Sequence, residues 1–171
     1  SKRTKFGKRL NAEKGRVPQN LFGYDRVNNF TLSIHPEEAR IVRKIFNLYN
    51  EKGLGCRTIS LTLNRDGDKT KYGHEWNARG VRRVLVNPIY KGTLVNHKYE
   101  IEDFLTGKQV PIPPEAQFFH QRLEWAIVSA EVFQKAQRIL ESRRIQYDSG
   151  EPFRGSRYSG KHLFSTLIKC E

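Results

Sequence analysis

The segment Trp76–Gly92 (WNARGVRRVLVNPIYKG) constrains this chain more than any other. Ala78, Val81, Val84 and Leu85 recur at helical spacing, so one face of a short helix is apolar. Arg79, Arg82 and Arg83 fall on the opposite face. Asn77 is a good N-cap, and Asn87-Pro88 stops the helix. A guanidinium forks well onto phosphate oxygens and onto guanine edges in the major groove. A short helix packed on one side and cationic on the other is a common tool for reading duplex DNA. A solvated arginine face on an ordinary core helix reads the same way, and this segment alone leaves the two level.

Net charge tips the balance. Lys and Arg number 31 against 18 Asp and Glu, a formal charge of +13. Such an excess points to polyanionic partners. Residues 1–26 carry 8 basic and 2 acidic residues and residues 51–100 carry 10 and 5, whereas residues 101–135 carry 3 and 5. The charge is therefore a footprint and not a uniform coat. No run is apolar and long enough to span a bilayer, no signal peptide is visible, and no basic amphipathic helix with aromatic anchors stands out. Double-stranded DNA is the expected partner, with no membrane. Two cysteines, Cys56 and Cys170, give no disulfide framework and fit a reducing compartment.

Along the chain, Ser1–Gly15 reads as the end of a helix or a basic arm, and Gly15–Gly23 as an extended linker. Tyr24–Ile34 has alternating character, and a short strand or hairpin is expected around Asn28-Asn29. His35-Pro36-Glu37-Glu38 opens the clearest helix, with Ala39, Ile41, Val42, Ile45, Phe46 and Tyr49 as its buried stripe. A second helix over Arg57–Asn64 would bury Ile59, Leu61 and Leu63. The turn at Asp66-Gly67 and a basic loop, Lys69–Glu75, then lead into the arginine helix. That order is the order of a helix-turn-helix or winged-helix module. Thr93–Phe104 is expected as one strand, Thr106-Gly107 as its turn and Lys108–Ile112 as its return. Trp125–Val128 reads as a buried strand or connector. Ser129 would cap a last helix with the stripe Val132, Phe133, Ala136, Ile139 and Leu140, and Gln146–Lys161 reads as a linker.

Taken together, Gly23-Tyr24, Ile34-His35-Pro36-Glu37-Glu38-Ala39, Val42–Phe46 and Ile59–Gly67 resemble the recombinase domain of large serine recombinases, the phage integrases and transposon recombinases. The likeness continues through Trp76, Val81, Val84-Leu85, Asn87-Pro88, Tyr90 and Gly92, then Ala126–Ser129, Phe133 and Arg143-Arg144. Any single piece is weak; the ordered set is specific. The resemblance implies an interdomain helix and basic linker over 1–22, a recombinase DNA-binding domain over 23–147, and a linker with the start of a zinc ribbon over 148–171. Cys170 would be the first of that ribbon's four ligands, so zinc is implied for the parent protein and no cofactor for this stretch, where one thiolate cannot close a tetrahedral site. The serine catalytic domain is expected upstream, so no serine here is assigned as nucleophile and this stretch is not expected to be an enzyme by itself. By the same resemblance the parent is expected to self-associate on DNA as dimer and tetramer, and its expected location is cytoplasmic, bacterial or phage-encoded and nucleoid-associated.

The expected fold is α+β, mainly helical, helix-turn-helix or winged-helix-like, with a small β-hairpin region. The expected DNA-contacting residues are Arg3, Lys5, Lys8, Arg9, Lys14 and Arg16 of the arm, Lys69, Lys71 and His74 of the loop, Asn77, Arg79, Arg82 and Arg83 of the helix, and Lys91. Two other readings stay open. A winged-helix transcription regulator would look alike through the middle of the chain. A metal-dependent nuclease would use Asp66, Asp68, His74, Glu75 or His97, although Asp66-Gly67-Asp68 has the chemistry of a turn and Asn96-His97-Lys98 only faintly resembles a nuclease motif.

Overall fold

The computed structural model describes residues 2–101 and 107–148, with side chains over 6–101 and 107–144. Five α-helices and six short strands form a mixed α+β architecture among these residues. The helices are α1 (Lys2–Glu13), α2 (Pro36–Asn50), α3 (Cys56–Arg65), α4 (Ala78–Val86) and α5 (Ala130–Asp148). The strands are β1 (Tyr24–Arg26), β2 (Leu32–Ile34), β3 (Thr93–Asn96), β4 (Tyr99–Ile101), β5 (Gln109–Pro111) and β6 (Phe118–Gln121). They pair as three antiparallel ladders, β1 with β2, β3 with β6 and β4 with β5.

Helices α2, α3 and α4 pack mutually and make the core. The α2 stripe is buried as its periodicity predicts: Ala39, Ile41, Val42, Ile45, Phe46 and Tyr49. His35 caps this helix, its Nδ1 accepting from the Glu38 amide at 3.3 Å. On α3, Ile59 and Leu63 are buried but Leu61 is 61% exposed, and Ser60 takes the inward position instead. Residue 61 stands about 200° around the helix from residue 59, so the two cannot share one face. The same geometry turns Val132 outward on α5, while Phe133 and Ala136 face in.

Buried tyrosines tie the β1–β2 hairpin to the chain beyond α4. Tyr24 donates from its hydroxyl to the Trp125 carbonyl at 2.7 Å and to the Ile89 carbonyl at 3.2 Å. Tyr90 stacks on Tyr24 and donates to the Phe22 carbonyl at 2.9 Å. A 3₁₀ turn, Pro88–Lys91, carries Tyr90 and ends at Gly92, whose φ is +83°. A Cβ at Gly92 would lie 2.7 Å from the Arg122 carbonyl oxygen, so only glycine fits.

The strand expected over Thr93–Phe104 is two strands. The backbone turns at His97, φ +62°, and the chain changes partner there. Before it β3 pairs with β6, Thr93 opposite Gln121; after it β4 pairs with β5, Tyr99 opposite Pro111. The expected return strand is thus present as β5 but serves β4 alone. The β1–β2 ladder encloses Asn28-Asn29, where a strand or hairpin is expected, and the β3–β6 ladder is the one that sequence reasoning does not include. Trp125–Val128 is a connector, entered through a 3₁₀ turn at Leu123–Trp125.

Ser129 caps α5, accepting from the Val132 amide at 3.3 Å. The helix runs to Asp148, through the start of the linker expected at Gln146. The chain divides into two compact units, Ser1–Ala136 and Gln137–Glu171; the described part of the second is the continuation of α5.

Candidate nucleic-acid interface

Helix α4 is seated by its neighbours on both the α3 and the loop side. Asn64 at the end of α3 clamps the backbone of Trp76, its amide donating to the Trp76 carbonyl at 2.9 Å and its Oδ1 accepting from the Trp76 amide at 2.7 Å. Trp76 is 5% exposed and meets Phe22 edge-on at 4.9 Å. Asn77 then caps the helix, its Oδ1 accepting from the Gly80 amide at 2.8 Å. The cap takes one of that oxygen's two lone pairs and leaves the amide nitrogen of Asn77 without a partner among the described residues.

Val81, Val84 and Leu85 are buried, and Arg79, Arg82 and Arg83 are exposed. None of the three guanidiniums has a hydrogen-bond or ion-pair partner among the described residues. Fixed on a packed helix and without counter-charges, they can meet a polyanion directly. The connection from α3 to α4, Asp66–Asn77, is far longer than the roughly 3–4-residue turn of a compact helix-turn-helix.

That long loop separates the expected loop contacts. Lys71 is not free: its ammonium donates to the Tyr24 carbonyl at 2.7 Å and to Glu38 at 3.2 Å. Glu38 in turn accepts from the Gly23 amide at 2.7 Å. Lys71 therefore fastens the loop to α2 and the hairpin. Lys69 faces Glu75 at 3.8 Å across an exposed pair, and His74 is exposed. Between them Tyr72, which sequence reasoning passes over, stands 64% exposed. Lys91 lies with its ammonium 5.5 Å from the centre of the Phe133 ring.

The arm is a helix closed by a C-terminal glycine motif. The Arg16 amide donates to Asn11 and the Gly15 amide to Ala12, with Gly15 at φ +78°. Asn96 and His120 reach the Ala12 carbonyl at 3.2 and 3.1 Å and so tie the end of α1 to the β3–β6 ladder. Lys8, Arg9, Lys14 and Arg16 are exposed; the side chains of Arg3 and Lys5 lie outside those described. The segment 149–171, with Cys170, also lies outside the described residues.

The two aspartates of the nuclease reading are held in ion pairs, while His74 and Glu75 are exposed. Asp68 is 6% exposed and accepts from Lys44 at 2.6 Å and from Arg40 at 2.8 Å; Asp66 also accepts from Lys44, at 2.9 Å. Burial alone would raise the Asp68 carboxyl, but the hydrogen bonds from Lys44 and Arg40 hold it below its ordinary value. His97 sits at the strand break with its ring against Phe118. No group of three or more metal-capable His, Cys, Asp or Glu side chains occurs among the described residues. No described helix is long and apolar enough to cross a membrane.

Residues 36–143 match the sequence model of the Recombinase family. The chain belongs to that family. Its α2–α4 core, the 3₁₀ turn at Pro88 and most of α5 all lie inside the match. A Bacillus subtilis (strain 168) protein named "Putative DNA recombinase" is 32% identical over 182 residues, covering 98% of this chain and 35% of the relative. The chain thus spans about a third of that relative's length. Two solved structures share the fold. One is described as an LSR–DNA complex, with TM-score 0.55, 22% identity, and coverage of 83% of this chain and 38% of the other. The second, from work on a Listeria innocua prophage attP site, has TM-score 0.56, 21% identity, and coverage of 87% and 56%.

Proposed function

We propose that this chain binds duplex DNA sequence-specifically as part of a large serine recombinase, at an attachment-site or transposon-end half-site. The observation that carries the reading is the α4 surface: three unpaired guanidiniums on a helix whose opposite face is locked into the core. Arg79 and Arg82 meet base edges in the major groove, and the exposed cations of α1 and its linker meet phosphates. Family membership and the Bacillus relative's name favour recombination over transcriptional regulation. That one fold neighbour is described as an LSR–DNA complex supports DNA as the partner. In this reading the described residues hold the site and the chemistry is done elsewhere in the parent. Zinc through Cys170 and self-association on paired sites belong to the proposal on the strength of resemblance alone.

Selection of bound duplexes from a random-sequence library tests it. Enrichment of one half-site, with binding that weakens steeply with salt, is the expected result. Salt-dependent binding with no enriched sequence would remove the specific half-site, and no binding to any duplex would sink the reading altogether.

A further inference from the structure

Beside α4 lies an open groove of about 470 Å³, and its lining divides the three arginines into two groups. Successive helix positions are about 100° apart, so Arg82 and Arg83 point to opposite flanks of the exposed face, with Arg79 between them. Arg83 lines the groove together with Gly80 and Val84 of its own flank; Arg79 and Arg82 do not. Lys98, arriving from the far side of the His97 break, and Tyr72, from the loop before α4, line it as well.

We infer that this groove seats a sugar–phosphate segment of one DNA strand, so that Arg83, Lys98 and Tyr72 form a backbone clamp while Arg79 and Arg82 read bases. The inference rests on the DNA-binding reading above and deepens it. Charge complementarity selects the occupant. The Arg83 and Lys98 side chains have no hydrogen-bond or ion-pair partner among the described residues. No carboxylate lines the groove, and its third cation, Lys71, is already neutralised by Glu38. The floor is apolar, from Leu21, Phe22 and Val84. A base would need an open ring face to stack on; Trp76 and Tyr90 are buried, Phe22 is half-buried with its ring edge-on to Trp76, and Tyr72 is the exposed aromatic of the lining. A cationic rim over an apolar floor with a single projecting phenol fits a phosphate with its deoxyribose.

The clamp is built in advance. Tyr72 stands on a turn closed by the Gly73 amide to Thr70 at 2.9 Å and the Thr70 amide to His74 at 2.9 Å. Lys71 fastens that turn to the Tyr24 carbonyl, so little freedom remains to be lost when DNA arrives.

The experiment compares Arg83→Ala, Lys98→Ala and Tyr72→Ala with Arg79→Ala, on the selected half-site and on a scrambled duplex, across a salt series. Thermal melting checks that each variant is folded. Arg83→Ala and Lys98→Ala are expected to weaken both duplexes by the same factor, and each to lower the magnitude of the log K against log salt slope by about 0.9. Tyr72→Ala should weaken both several-fold. Arg79→Ala should instead reduce the ratio between the two duplexes. If Arg83→Ala loses the half-site alone, Arg83 is a base reader and the clamp is wrong. If Arg83→Ala and Lys98→Ala both leave the slope unchanged, no strand lies in the groove, while the DNA-binding reading survives. Wild-type protein that binds neither duplex overturns both.

Discussion

Two sets of cations on this molecule look alike in sequence and behave oppositely in the fold. Arg40, Lys44 and Lys71 are met by carboxylates: Asp68 binds Arg40 and Lys44, Asp66 binds Lys44, and Glu38 binds Lys71. Arg79, Arg82 and Arg83, a short distance along the chain, are met by none among the described residues. The first set joins α2 to the loop that leads into α4. The second set is what that loop delivers. The net charge of +13 is therefore a sum over two jobs, and counter-charge, not residue type, separates them.

The largest expected effects fall on the unpaired set and on binding. Arg79→Ala should weaken the selected half-site by about 1–3 kcal/mol, with the melting temperature unchanged. Binding titrations beside a thermal melt check this. A fall in melting temperature of several degrees would show that Arg79 also holds the fold and would blur the division.

The converse case is Asp68→Ala. Its carboxylate is buried and takes both an ammonium and a guanidinium, so its loss leaves Lys44 with Asp66 alone and opens the loop. Both cations keep some solvent, which reduces the cost below that of a fully buried pair; about 1–2 kcal/mol of folding stability should go. Denaturant unfolding measures it. DNA affinity, measured where the variant is fully folded, should hardly change. A large loss of affinity at intact fold would mean that the loop clamp tunes the interface directly.

How far this division is legible in the sequence depends on the distance between partners. The α2 stripe and the two-faced α4 are local patterns of helical period, and both can be read directly. So can the Asn77 and Ser129 caps. Lys71 reads as a DNA contact in the sequence because its partners, Glu38 and the Tyr24 carbonyl, are remote along the chain and reach it only through the packing of α2 on the hairpin. The break at His97 is illegible for a related reason. Residues 93–101 carry β-forming side chains on both sides of the polar run Asn96-His97-Lys98, and that run does not say that the strand changes partner there, from β6 to β5. Strand β6 carries adjacent phenylalanines and no clean alternation, so it gives no signal. Tyr72 and Lys98 belong to the groove only because a turn and a strand break bring them beside Arg83.

Acid should act on the paired set alone. The folded Asp68 carboxyl lies below its ordinary value, and the unfolded one titrates near about 3.9. Its contribution is therefore complete above that unfolded value and is lost as pH falls through the lower, folded one. Unfolding midpoints followed from about pH 6 down to about pH 2.5 should fall more steeply in wild type than in Asp68→Asn. Parallel curves would mean that the two cations do not favour the charged carboxylate in solution.

The smallest expected effect moves one cation from one set to the other. Lys69 and Glu75 form a long, exposed pair at 3.8 Å, flanking Tyr72 and His74 in the loop before α4. An exposed pair of this length is worth little, so Glu75→Gln should change stability by less than about 0.5 kcal/mol. It also removes a negative charge from the loop and leaves Lys69 free to meet a phosphate. Affinity for specific and scrambled duplexes should rise together, modestly, and the salt slope should steepen, because a phosphate contact adds to both equally. Lys69→Ala in the same background should cancel the gain. If Glu75→Gln binds no better than wild type, the loop's outer edge lies clear of the DNA, and the interface is confined to α4, its groove and the arm.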